Sequence, residues 1–423
     1  MIYLNRLANA PYLNYVNNIL HAEFVSIKDI VDTLGTPIYL YSLSALQDFY
    51  ESYRNFVINK KLLICYGMKA NSNLSILKEF VRLGAGFDIV SGGELNKLLK
   101  IGADPKKIVF SGVGKLDWEI KAALKIGIKS FNIESEDELI LLSKIAYEND
   151  LCAPISLRVN PDVQVDTHPY ISTGSKENKF GISIDRALEV YILAKKQSNI
   201  NIIGVNFHLG SQLNHMNPYI KSIDKIAKLI NLLNYNGIYI KHLDIGGGIG
   251  IKYYREKIIY PNYLIKCIIN RLNSHKLNNI QIILEPGRSL IGNSGCLITK
   301  VKYLKYSKSK NFAIVDSAMN DLLRPSFYKS WHNIIPINIK NNNLKKYDIV
   351  GPICESGDWL GKNRELNIKN NDFLAIESSG AYSNVMSSNY NSRCRVSEVI
   401  IDCDRYYLIK NREKFIDQIK YEI

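Results

Sequence analysis

A lysine placed directly behind an apolar run asks for a chemical reason. In KLLICYGMKANSN, Leu62 to Tyr66 are apolar, Gly67 follows, and Lys69 comes two residues later. A lysine shielded there loses hydration and can titrate low enough to condense with an aldehyde. Other reactive residue types fall at the ends of similar runs. Asp88 lies in FDIV, followed by Ser91-Gly92-Gly93-Glu94, and Arg158 lies in LRVNPD. His208 ends VNFH ahead of Leu209-Gly210-Ser211; Gly246, Gly247 and Gly248 close HLDIGGG; Glu285 opens EPGR, with Gly287 and Arg288 behind it. Singly, each has an ordinary reading: a solvated lysine, a packed histidine, a tight turn. Together they describe one ligand. Triple glycine lets backbone N–H groups close on a phosphate, and Ser211 adds a hydroxyl. A carboxylate at Glu285 suits a protonated ring nitrogen, and the His208 imidazole can stack on a flat ring. Phosphate, aldehyde and basic aromatic ring together are pyridoxal phosphate. SGVGK, Ser111 to Lys115, is no phosphate loop: no Ser or Thr follows the lysine and the spacing is short.

The elements that must carry these residues follow from periodicity. From Pro37 to about Gly287, apolar runs alternate with stretches of helical spacing. The runs are LLICYG, FDIV, KIVF, KSFNI, PISLRV, IGVNFH, HLDIGG and QIILEPG. Their continuous apolar character suits parallel strands buried on both faces. Eight such units predict a (β/α)₈ barrel over residues 36–290, whose chemistry gathers at the C-terminal ends of the strands. A doubly wound sheet is the alternative. After about Gly292 the rhythm turns to strands and loops, with CLITKVKYL, FAIVDS, YDIVGPIC, FLAIESS, RVSEVIID and RYYLIK. Residues 291–423, with 1–35 and its strand candidate HAEFVSI, predict a second, mostly β domain. The Asn/Lys-rich segment near Asn341 reads as a loop.

At 423 residues the chain exceeds one compact core. It has 46% hydrophobic and 22% charged residues and no apolar run long enough to span a membrane. Its start lacks the pattern of a signal peptide, and its seven cysteines are widely spaced with no C-x-x-C, so we expect the cytoplasm. The net charge of +14 comes from scattered lysines without a basic-aromatic stripe, so we expect no nucleic-acid partner. An anionic substrate suits that charge equally well.

Nine segments in order carry a family resemblance over about residues 22–410: YGMKAN, FDIVSGGEL, HPYISTGSKENKFGI, FHLGSQ, DIGGGIG, EPGRSL, MNDLLRPSFY, GPICESGDWL and GAYSNVMSSNYNSR. The chain resembles the diaminopimelate decarboxylases, fold-type III pyridoxal-phosphate enzymes. That resemblance implies an alanine-racemase-type TIM barrel with a β-barrel domain built from both termini. It implies decarboxylation of meso-2,6-diaminopimelate to L-lysine, the last step of lysine biosynthesis. Lys69 would carry the cofactor covalently, Asp88 would belong to the cofactor site, His208 would stack on the ring and Glu285 would hold the ring nitrogen. Gly246, Gly247, Gly248, Ser211, Tyr382 and the amides of Gly287 and Arg288 would bind the phosphate. Arg288, Arg324, Tyr328 and Tyr382 would line the substrate, with Glu355 at its distal ammonium. Cys354 would return a proton to the α-carbon. Cys354 and Glu355 would serve the neighbouring subunit, implying a homodimer with shared active sites. The resemblance implies no metal.

Two positions depart from the family pattern: Gly67 in YGMKAN and Gly361 in the loop DWLGKNREL, where alanine is common. The rival readings are a decarboxylase of ornithine or arginine, an amino-acid racemase, and a non-catalytic pyridoxal-phosphate-binding barrel. Glu285 opposes a racemase, because a carboxylate keeps the ring nitrogen protonated where a cationic partner would not. Arg324 opposes ornithine, which has no distal carboxylate. The β domain with Cys354 opposes the bare barrel.

Overall fold

The computed structural model describes residues 12–54, 62–165, 179–340 and 343–423. Outside them lie Lys61, most of HPYISTGSKENKFGI, Asn341 of the expected loop, and the first eleven residues. Contacts divide the chain into two units, one holding Tyr50–Gly250 and Lys257–Gly287, the other Met1–Phe49, Ile251–Glu256 and Arg288–Ile423.

The first unit is the expected barrel. Its parallel strands are Leu62–Gly67, Gly86–Ile89, Ile108–Phe110, Ser130–Ile133, Ala153–Asn160, Ile200–Asn206, His242–Asp244 and Gln281–Leu284. Each pairs with the next, and the eighth pairs with the first, closing the ring. Closure removes the doubly wound alternative. The helices between them begin where the sequence supplies caps. Asn73 accepts from Ser75 N at 2.9 Å ahead of Leu74–Arg82, and Ser91 accepts from Glu94 N at 3.2 Å ahead of Gly92–Lys100. The helix Leu74–Arg82 buries Ile76, Leu77 and Phe80. Phe80 stacks on Tyr66 of the first strand with ring centroids 4.0 Å apart, so the helix holds the strand that leads to Lys69. Lys115 is structural: its buried Nζ donates to Asn132 O at 2.9 Å and to Glu138 Oε1 at 2.6 Å.

The second unit carries a nine-stranded mixed sheet. Its long strand Gly295–Tyr306 pairs with Asn311–Val315, Phe373–Ile376 and Ile38–Ser42, and the last of these pairs with Ser397–Asp402. Ile38–Ser42 thus counts with the β unit, although its residues lie inside the span 36–290 read as barrel. A continuous buried run has the same signature in either sheet. DWLGKNREL is not a loop: Trp359–Leu366 is an eight-residue strand paired with Lys345–Val350. Register shifts in that pairing break the alternation that would mark a strand, and exposed Lys362 and Asn363 read as loop residues. HAEFVSI is not one strand but the corner between Ile19–Ala22 and Val25–Ser26, with Glu23 at φ 51°. Leu20 N donates to Ile337 O at 2.8 Å, so the segment does join the second unit.

Candidate active site

Lys69 sits in a single 3₁₀ turn, Met68–Ala70, directly after the first barrel strand. Met68 and Ala70 are buried on either side of it. Tyr66 OH donates to Asn71 O at 3.0 Å, which clamps the turn to the strand. Lys69 therefore projects from a fixed backbone, but its side chain is 41% exposed and not shielded from water as the sequence led us to expect, because the short turn carries it past the buried end of the strand. Its Nζ lies 3.2 Å from Asp88 Oδ2, and that carboxylate is fully buried.

Asp88 has two buried carboxylate neighbours, Asp244 of the seventh strand and Glu285 just past the eighth. Burial comes first and the charges of Asp244 and Asp88 second in pushing Glu285 far above the usual carboxylate range. Asp244 is pushed up to about 6, chiefly by burial. Two carboxylates this close and this buried cannot both be ionised, and the proton sits on Glu285, the more strongly raised of the two. Asn132 Nδ2 lies 3.4 Å from Glu285 Oε1. A site with this much buried acid calls for a cation.

The glycine loop lies beside it. The carbonyls of Gly246, Gly247 and Gly248 accept from Glu285 N at 2.8 Å, Tyr219 OH at 2.8 Å and Leu213 N at 2.8 Å. These bonds fix all three peptide planes. Gly248 has φ +103°, and a Cβ on Gly247 would lie 2.1 Å from Glu285 O, so no side chain fits. Leu213 also accepts from Gly250 N at 3.0 Å, which zips the Ser211 loop to the glycine loop. Gly247 N donates to His208 Nδ1 at 3.2 Å. That makes Nδ1 the acceptor and leaves the hydrogen on Nε2. Burial first, then the charges of Lys69 and Arg158, hold His208 well below its ordinary pKa, so the ring is neutral. Arg158 itself is spent on Glu134, 2.7 Å away. Gly287 follows Pro286, whose carbonyl accepts from Gly67 N at 3.1 Å.

In the second unit, Arg288, Arg324, Tyr328 and Tyr382 come together. Arg288 and Arg324 are almost fully buried. The Arg288 guanidinium lies 4.7 Å from the Tyr382 ring centre, and that of Arg324 lies 5.9 Å from the Tyr328 ring centre. Arg324 has no carboxylate partner among the described residues, and its buried Nε makes no hydrogen bond. Burial lowers its pKa to about 10. Tyr382 sits at φ 54°, a left-handed conformation that costs an aromatic residue on the order of 1 kcal/mol. Cys354 and Glu355 form a further group and are exposed. Cys354 N donates to Asn391 Oδ1 at 3.0 Å, and Tyr390 OH donates to Glu355 Oε1.

Residues 44–292 match the family described as pyridoxal-dependent decarboxylase, pyridoxal binding domain. The chain is 48% identical to the diaminopimelate decarboxylase of Vibrio cholerae over 404 residues, 95% of this chain and 96% of that one. The chain belongs to the diaminopimelate decarboxylase family. Among solved structures, the diaminopimelate decarboxylase of Helicobacter pylori in complex with L-lysine matches with a TM-score of 0.89 at 42% identity, over 93% of this chain and 98% of that one. The M. jannaschii diaminopimelate decarboxylase in complex with L-lysine matches with a TM-score of 0.93 at 34% identity, over 98% of both chains.

The family's cofactor is pyridoxal phosphate, and the residues present fit it. A buried acid pair awaits a protonated nitrogen, a side-chain-free cradle awaits a phosphate, and Lys69 stands at the strand end. Sequence reasoning missed Asp244, Asn132, Tyr253, His332 and Tyr390. Asp244 was within reach, two residues before Gly246 and in alternation with His242. Tyr253 had no signal, since it lies in a loop beside another tyrosine.

Proposed function

We propose that this chain removes carbon dioxide from meso-2,6-diaminopimelate and releases L-lysine. The observation that carries the substrate is Arg324, a buried guanidinium with no carboxylate partner among the described residues, in a cluster with Arg288. An uncompensated buried charge is costly, and a ligand carboxylate with a fork of two acceptors relieves it. The L-lysine in the H. pylori and M. jannaschii complexes supports the product.

Pyridoxal phosphate, when bound, supplies the sink for the electron pair left on the α-carbon as carbon dioxide departs. Lys69 would hold it by its aldehyde, with Asp88 beside the amine. Glu285, backed by Asp244, would favour a protonated ring nitrogen. Neutral His208 would pack on the ring without adding positive charge. Gly246, Gly247, Gly248, Ser211, the amides of Gly287 and Arg288, and Tyr382 would take the phosphate. Arg288, Arg324 and Tyr328 hold substrate carboxylates, with Tyr382 beside them, and Glu355 takes the distal ammonium. The Cys354 thiol delivers a proton to the α-carbon.

Cys354 and Glu355 are exposed, and Glu355 has no cationic partner among the described residues. We infer that they serve the site of a second copy in a homodimer. Mixing inactive Lys69→Ala with inactive Cys354→Ala, with subunit exchange, should then restore up to about a quarter of wild-type activity, since half the dimers hold one intact site. No restoration would overturn the shared site. All seven cysteines are unbridged, which supports a reducing compartment, the cytoplasm.

The deciding assay follows carbon dioxide and product amine from diaminopimelate, ornithine, arginine and lysine in parallel, with pyridoxal phosphate added. Release from diaminopimelate alone is expected. Release from ornithine or arginine instead would overturn the reading of Arg324 and Glu355. Lys69→Ala should lose both turnover and the cofactor's visible absorbance band.

A further inference from the structure

Two buried guanidiniums near one another repel, and the charge of Arg288 helps to lower the pKa of Arg324. Something in the fold must hold both in place before an anion arrives. Tyr253 touches both. It is 4% exposed, and its hydroxyl accepts from Arg288 Nη1 at 2.7 Å. Its ring lies under the Arg324 guanidinium, 5.0 Å from centroid to Cζ, and 5.9 Å from that of Arg288. The negative face of a phenol ring attracts a cation, more so when both are desolvated.

Tyr253 is itself fixed. Its N–H and that of Tyr254 donate to Glu256 Oε2 at 3.0 and 2.7 Å, and Asn293 Nδ2 donates to Lys252 O at 3.1 Å. The ring is packed edge-to-face by His332, centroids 5.2 Å apart at 76°. His332 Nδ1 lies 2.9 Å from Glu377 O, and since a carbonyl only accepts, Nδ1 carries the hydrogen. Burial, with the arginines around it, pushes His332 down to about 3, so it adds no third positive charge.

We propose that Tyr253 is a positioning residue for both substrate-binding arginines, holding Arg288 by its hydroxyl and Arg324 by its ring face. Arg324 depends on it more, because its own Nε makes no hydrogen bond among the described residues. The inference rests on the reading that these arginines take substrate carboxylates. It goes further by assigning the aim of the pair to a residue outside the sets read as holding cofactor and substrate.

The test is steady-state carbon dioxide release from diaminopimelate by the holoenzyme. Tyr253→Phe keeps the ring and removes the hydroxyl. It should raise KM roughly 5- to 10-fold with kcat within about twofold. Tyr253→Leu removes both and should lower kcat/KM roughly 100-fold. In an Arg324→Met background, Tyr253→Leu should cost no more than Tyr253→Phe costs in the wild type, because the ring has lost its client. Unchanged KM in Tyr253→Phe, a fall in kcat at constant KM, or full additivity with Arg324→Met would overturn the proposal. If Tyr253→Leu fails to fold, Tyr253→Phe, which preserves shape, still decides. Wild-type protein that releases nothing from diaminopimelate would instead sink the proposed function.

Discussion

Glu285 and Asp244 hold one proton between them, on Glu285, because both cannot ionise together beside Asp88 in a buried site. A ring nitrogen that brings its own positive charge removes the reason for that proton. Glutamine at 285 keeps the shape and removes the negative charge. Glu285→Gln should retain the cofactor's visible band, since Lys69 and the glycine cradle are untouched. Carbon dioxide release should fall by roughly 100-fold or more, the scale of losing one preorganised electrostatic partner. Activity near wild type with the band in place would mean that Glu285 does not set the protonation of the ring. At this scale the sequence identified the acid and missed its neighbour. Glu285 stands in a readable motif, whereas Asp244 acts only through a partner that the closed ring brings beside it.

At the scale of elements, the two glycines that depart from the family pattern separate cleanly. A Cβ on Gly67 would meet nothing nearer than 3.6 Å, so Gly67→Ala should fold as well as wild type or gain up to about 1 kcal/mol. A Cβ on Gly361 would lie 2.6 Å from Arg364 Nε and 2.7 Å from Ile334 Cδ1. Arg364 Nη2 donates to His332 O at 2.8 Å, so it is not free to yield. Gly361→Ala should therefore cost about 1–3 kcal/mol in urea unfolding. Equal stability of the two variants would refute this packing account. Nothing in YGMKAN or DWLGKNREL distinguishes the two positions, because the difference lies in what crosses them in space. The barrel strands were legible because burial on both faces writes an unbroken apolar run. Trp359–Leu366 was not, because register shifts and polar residues hide its alternation. Ile38–Ser42 could be read as a strand but not assigned to a sheet, since pairing partners leave no local mark.

For the whole molecule, two sets of buried groups pull stability in opposite directions with pH. Burial holds His242 and His332 down to about 3, so the unfolded chain binds their protons more readily. Their contribution is fully present above about pH 6.5 and is lost as pH falls toward 3. Buried acids act oppositely. Glu377 is raised to about 7 and Asp321 to about 6, in both cases chiefly by burial. There the folded state binds protons more readily, and stability is lost as pH rises from the unfolded value through the folded one. Glu377 isolates this effect. It is fully buried, Asn333 Nδ2 donates to Oε2 at 3.1 Å, and Oε1 has no partner among the described residues. A shift from 4.5 to about 7 corresponds to about 3 kcal/mol of lost stability once the group ionises. Glu377→Gln keeps an acceptor for Asn333 and cannot ionise. Its urea midpoint should match wild type at pH 5 and exceed it at pH 8 by the equivalent of about 2–3 kcal/mol. A gain of the same size at both pH values would assign the effect to packing instead of titration. No gain at pH 8 would mean that Glu377 finds a counter-charge when it ionises.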